Sequence, residues 1–105
     1  MIQYLTEDNF DESISTNNVV LIDFYADWCS PCKALHPILE QSDRKINGKA
    51  VIAKINIDKS PELASRYGVR SIPALFYIKN GEVVKNSVGV VQSNEIIQNL
   101  EALVQ

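Results

Sequence analysis

The sequence predicts an α/β fold: a central mixed sheet of about five strands flanked by four helices, in the order β-α-β-α-β-α-β-β-α. Three observations carry that expectation. Short apolar runs rich in β-branched and aromatic residues recur at Val19–Tyr25, Ala50–Ile57 and Ala74–Lys79, and read as buried strands. The segments between them place apolar residues at the spacings of a helix face. Finally, Asn80-Gly81 is a two-residue hairpin signal, so the last strand should run antiparallel to the one before it. Elsewhere the alternation of strands and helices implies parallel pairing through crossover helices.

Ile2–Leu5 reads as a short first strand. Thr6 is a candidate N-cap, with Glu7 and Asp8 favouring the positive end of the following helix. Phe10 and Ile14 give that helix a narrow apolar stripe, and Asn17-Asn18 ends it. Val19–Tyr25 is the central strand, and Asp23 is its one charged residue. A second helix is expected from about Cys29 to a stop at Gly48, with Leu35, Ile38, Leu39 and Ile46 inward and Ser42 weakening the stripe. Pro31 suits the first turn of that helix, where no intrahelical acceptor is lost, whereas Pro37 lies inside it and predicts a kink. After the Ala50–Ile57 strand, Ser60-Pro61-Glu62 marks a helix start. That short helix carries Leu63 and Tyr67 inward and stops at Gly68. Strands Ala74–Lys79 and Glu82–Val88 flank the Asn80-Gly81 turn. Ser93 is the expected cap of a last helix with Ile96, Ile97, Leu100, Leu103 and Val104 on one face.

At 105 residues, without linker, repeat or low-complexity stretch, the chain is expected to be one domain spanning 1–105. Hydrophobic residues make up 46% and charged residues 22%, ordinary values for a soluble globular protein. The net charge is −3 and no basic block occurs, which argues against a nucleic-acid groove. The longest apolar runs are too short to span a membrane, and the N-terminus lacks the pattern of a signal peptide. A cytoplasmic address is the default expectation. In a reducing compartment the 2 cysteines are not expected to form a permanent cross-link, and so short a loop would stabilise little. The pair is expected to cycle between thiol and disulfide.

Both cysteines lie in Cys29-Ser30-Pro31-Cys32, between the central strand and the second helix. Cys29 is placed at the helix N-terminus and Cys32 one turn further in, on the same side. Thiolate is the nucleophile of disulfide exchange, and a helix N-terminus favours negative charge by up to ~2 kcal/mol. That is roughly 1.5 pH units, enough to bring a thiol from about 8.5 to near neutrality. Cys29, the outer thiol, should attack a substrate disulfide, and Cys32 should resolve the mixed disulfide. Resolution requires Cys32 to lose a proton in a buried place, and Asp23, alone among apolar neighbours, is the candidate base. Lys54 is either its buried partner or a lysine that snorkels to water.

Together these residues resemble the thioredoxin family over nearly the whole chain. The marks are Asp23-Phe24-Tyr25-Ala26-Asp27-Trp28-Cys29-Ser30-Pro31-Cys32-Lys33, Pro37, Asp58, Ile72-Pro73, Asn80-Gly81 and Gly89. The resemblance implies the thioredoxin fold and a dithiol–disulfide oxidoreductase of the cytosol, monomeric and without a bound cofactor. Its reducing equivalents would come from NADPH through a thioredoxin reductase. It also implies Cys29 as attacking thiol, Cys32 as resolving thiol and Asp23 as acid–base group. The Ile72-Pro73 bond would be cis and abut the cysteines, with the Ile72 backbone offered to an extended segment of a disulfide-containing protein. Trp28, Ile72, Pro73 and Gly89 would form the docking rim. Ser30, Pro31, Lys54 and Pro73 would tune the redox behaviour.

Ser30 departs from the glycine usual in the family, Tyr25 from a common tryptophan, and His36 from a small residue or lysine. A Ser30 hydroxyl donating to the Cys29 thiolate would make the protein a few tens of millivolts more oxidising than Ser30→Gly, at about 30 mV per 1.4 kcal/mol. His36 is the single histidine, four residues from Cys32, and with the cysteines supplies too few ligands for zinc, so no metal is expected. It is either a partly exposed helix residue or a tuner of the thiols. Three functions are compatible with these residues: a general protein disulfide reductase, which is preferred; a partner-specific reductase or mild oxidant tuned by Ser30; and a non-catalytic binding subunit using the Trp28–Pro73–Gly89 surface.

Overall fold

In the computed structural model, which describes residues 1–105, the middle strand β2 (Val19–Tyr25) is covered on both faces. Its residues alternate between two cores. Val19 and Leu21 pack with Leu35, Leu39 and Ile46 of α2 (Ser30–Ile46) and with Ile96 and Leu100 of α4 (Ser93–Leu103). Val20, Ile22 and Phe24 face the other way, onto Phe10 of α1 (Phe10–Thr16) and Leu63 of α3 (Pro61–Arg66). The remaining strands are β1 (Gln3–Tyr4), β3 (Val51–Asn56), β4 (Ala74–Lys79) and β5 (Glu82–Val88). The 5-stranded sheet has the order β1-β3-β2-β4-β5. The expected element order and mixed sheet are therefore present. No helix is long and apolar enough to cross a membrane.

Pairing departs from expectation at β4. β1 with β3 and β3 with β2 are parallel, but β4 runs antiparallel to β2 as well as to β5. Residues 57–73, between β3 and β4, hold no crossover helix running back along the strands: α3 has 6 residues and advances about 9 Å, and the rest is loop. The chain stays at the end of the sheet where β3 finished, and β4 starts there. As a result Ala74, the first residue of β4, lies opposite Phe24 near the last residue of β2. This brings the Ile72-Pro73 loop to the same end of the sheet as the cysteines.

Several helix starts also differ. The Thr6 hydroxyl accepts from the Asp8 N–H (3.3 Å) and the Asn9 side chain accepts from the Thr6 N–H (2.7 Å), but this closes a turn, and α1 begins at Phe10. Ser60 and Ser93 do not cap with their side chains. Ser93 is the first residue of α4 instead, buried with its hydroxyl 3.0 Å from that of Ser42. Ser42, which also donates to the Ile38 carbonyl at 2.8 Å, is thus a satisfied polar contact between α2 and α4 rather than a weak point. α2 runs on through Pro37 and is closed by Asn47 in the left-handed conformation (φ 51°), one residue before Gly48. The Asn80-Gly81 turn has positive φ at both residues (51° and 84°), as the hairpin signal requires.

Candidate active site

Beyond Tyr25 the chain turns through Ala26, Asp27 and Trp28 and reaches Cys29, which caps α2 in an extended conformation. Its Sγ accepts the Cys32 N–H at 3.2 Å, the place an oxygen takes in a Ser or Asp cap. The two sulfurs are joined as a disulfide, with Cα atoms 5.2 Å apart. Pro31 occupies the first turn, where its missing N–H costs no helix bond. Cys32 is fully buried and Cys29 nearly so, among Ala26, Tyr25, Ile57 and Ile72. Cys29, the more exposed of the two, lies 3.9 Å from the Ile72 carbonyl oxygen.

Asp23 is fully buried on β2, and neither of its carboxylate oxygens accepts a hydrogen bond. Its neighbour in the parallel register is Lys54 of β3, whose Nζ stands 3.9 Å from Asp23 Oδ2. Burial raises the Asp23 carboxyl from 3.8 to about 7, against the opposing pull of Lys54. Burial likewise lowers the Lys54 ammonium, partly offset by Asp23. Lys54 is 5% exposed, so of the two sequence readings the structure shows the buried partner. Its Nζ also lies 4.3 Å from the centre of the Tyr25 ring and 3.0 Å from His36 Nδ1.

The expected docking residues are split between separate loops, and Pro73 is buried rather than on the rim, because it enters β4 under the sheet end where Ala74 and Leu75 are also buried. Trp28 is 67% exposed, and its Nε1 donates to Asp58 at 2.9 Å, which fixes the ring's edge. The Ile72-Pro73 peptide bond is cis, and the Ile72 backbone makes no hydrogen bond to another backbone group. Gly89 (φ 96°) donates its N–H to the Pro73 carbonyl at 2.8 Å, locking the third loop onto the second. Val88 and Val90, on either side of Gly89, are exposed and extend the apolar rim. Neither valine was expected there from the sequence, although an apolar pair flanking a loop glycine was a visible signal. Asp58 had no assigned role, and His36 was not connected with Lys54, because the helix–strand contact between them depends on tertiary packing. The Ser30 hydroxyl is exposed and makes no hydrogen bond to the disulfide. No cluster of three or more metal-ligating side chains is present.

Comparisons with known proteins agree with this geometry. The family model described as Thioredoxin matches residues 1–102. Thioredoxin of Rickettsia bellii is 41% identical over 99 residues, covering 93% of this chain and 94% of that protein. Thioredoxin of Chlorobaculum thiosulfatiphilum is 43% identical over 97 residues, 91% and 90% of the two chains. Among solved structures, a mutant thioredoxin from Halobacterium salinarum superposes with a TM-score of 0.90 at 37% identity, covering 99% of this chain and 91% of that one. With a disulfide-bonded C-x-x-C pair capping a helix on this fold, the chain belongs to the thioredoxin family of thiol–disulfide oxidoreductases.

Proposed function

We propose that the protein reduces disulfides in other proteins, with Cys29 as nucleophile, Cys32 as resolving thiol and Asp23 as the group that takes the Cys32 proton. In the reduced form the Cys29 thiolate attacks one sulfur of a substrate disulfide. A bond between Cys29 and that sulfur forms, and the other substrate sulfur leaves as thiolate and takes a proton from water. Cys32 then passes its proton to the Asp23 carboxylate and attacks the Cys29 sulfur. The Cys29–Cys32 bond forms as the second substrate thiolate leaves, so two electrons have moved from protein to substrate. A carboxyl raised to about 7 is matched to taking up and giving back a proton near neutral pH.

The observation that carries this reading is the Cys29 sulfur in the capping position of α2, bonded to a partner sulfur one turn inside. Substrates would bind as extended segments, their backbone pairing with the free peptide groups of Ile72 and their side chains lying on Trp28 and on Val88 and Val90 beside Gly89. Reducing equivalents would come from NADPH through a thioredoxin reductase, and the protein would act as a cytoplasmic monomer. Insulin reduction tests the roles. Cys29→Ser should abolish turnover, and Cys32→Ser should accumulate a covalent adduct with substrate. Turnover by Cys29→Ser at the wild-type rate would overturn the assignment.

A further inference from the structure

His36 stands on α2 one turn beyond Cys32, and the steps above do not use it. Its Nδ1 lies 3.0 Å from Lys54 Nζ, and its Nε2 3.5 Å from a carboxylate oxygen of Glu40. A lysine ammonium has donors and no acceptor, so Nδ1 is the accepting atom of that contact. The proton of the neutral ring then sits on Nε2, toward Glu40. His36 is the one hydrogen-bond acceptor that the Lys54 ammonium has. Lys54 in turn is the nearby cation for Asp23, at a distance too long for a direct hydrogen bond but short for Coulomb attraction. Whatever fixes the ammonium therefore fixes the electrostatics of Asp23.

Lys54 also has somewhere else to go. Its side chain borders a cavity of about 310 Å³ shared with Tyr4, Tyr25, Cys32 and His36. Lys33 and Asp27 border the same space, while Asp43, beyond His36 on α2, is paired with the Met1 amino group and has Arg44 beside it. From the elements around the ring, then, Lys54 faces it from β3, Tyr4 from β1 and Glu40 from its own helix. Only Lys54 meets Nδ1.

We propose that His36 is a positioning residue for the dithiol chemistry: when neutral it holds the Lys54 ammonium beside Asp23, and when it takes up a second proton it lets the ammonium go. The proposal rests on the reading of Asp23 as the proton acceptor. An imidazolium would present Nδ1–H to the ammonium at 3.0 Å, and two cations with no acceptor between them do not share that contact. Lys54 would then turn into the cavity. Asp23 would lose the cation that favours its charged form, hold its proton more tightly, and cease to accept one from Cys32. Resolution of the mixed disulfide would weaken with falling pH sooner than Asp23 alone dictates.

The test is the titration of the Asp23 side-chain carboxyl, followed by carbon NMR on the oxidised protein, whose bonded thiols do not titrate, in wild type, His36→Ala and His36→Asn. An asparagine oxygen stands roughly where Nδ1 does and accepts from Lys54, but takes up no proton. His36→Ala should raise the Asp23 midpoint by on the order of one pH unit, the loss expected when a cation moves from close contact to ~7 Å at an effective dielectric of ~20. His36→Asn should keep the wild-type midpoint and remove the part of the curve that follows the imidazole. Identical curves in all three proteins, or equal shifts in Ala and Asn, would overturn the proposal. A second measurement needs no variant: ring nitrogen shifts of the wild type at high pH should report the Nε2–H tautomer, and the Nδ1–H tautomer would overturn it. The reading of Asp23 as proton acceptor fails by a different result, an Asp23→Ala protein that reduces insulin at the wild-type rate, so this idea and the reading it rests on fail separately.

Discussion

Asp23→Ala should make the folded protein more stable at pH 8 while slowing disulfide reduction. The sign follows from linkage. The native carboxyl titrates near 7 and its ordinary value is 3.8, so between those values the native state holds a proton that the unfolded chain has released. Stability from this group is full below pH 4 and is lost as pH rises through 7. Roughly three pH units at about 1.36 kcal/mol each put the cost of ionising Asp23 at about 4 kcal/mol above pH 7, a figure that already includes the pull of Lys54. Truncation also removes some packing, an offset of about 1–2 kcal/mol. A net gain of about 2–3 kcal/mol at pH 8 remains. Urea unfolding of the oxidised protein between pH 4 and 8.5 measures it without interference from the thiols, which do not titrate while bonded to each other. The difference in stability, variant minus wild type, should grow with pH. A difference independent of pH, or a variant less stable than wild type at pH 8, would refute the reasoning.

Two other changes have defined outcomes. Because the Ser30 hydroxyl is exposed, water competes for any bond to the Cys29 thiolate, and Ser30→Gly should be more reducing than wild type by no more than about 30 mV in a glutathione redox buffer; equal potentials would leave Ser30 without a tuning role. Asp58→Ala removes the acceptor that orients Trp28 at an exposed site, so stability should change by less than about 0.5 kcal/mol while the KM for insulin rises. An unchanged KM would show that the fixed ring edge does not matter to docking.

Much of this site is local in sequence and was legible there. Cys29, Ser30, Pro31 and Cys32 fall in one helical turn, and Pro31 alone dictates which turn. The burial of Asp23 followed from its setting in Val19–Tyr25, and β2, β4 and β5 have the expected bounds. What sequence pattern did not carry is orientation across elements. The alternation rule makes β4 parallel, whereas the connection through α3 stays at one end of the sheet and β4 runs back antiparallel. Likewise Ser42 and Ser93 look like a flaw and a cap when each is read on its own helix, and become a buried pair only when the helices pack. The contact of His36 with Lys54 is of the same kind, a helix residue meeting a strand residue 18 positions away.

The reversed direction of β4 also bears on how the protein is made. Cys29 and Cys32 are translated well before Ile72, Pro73 and Gly89, and the loops that carry these three reach the sulfurs only once β4 has added beside β2. A chain still emerging from the ribosome would thus expose a reactive dithiol before it owns the surface that chooses what the dithiol touches. The surface beside the sulfurs is completed by the second half of the sheet.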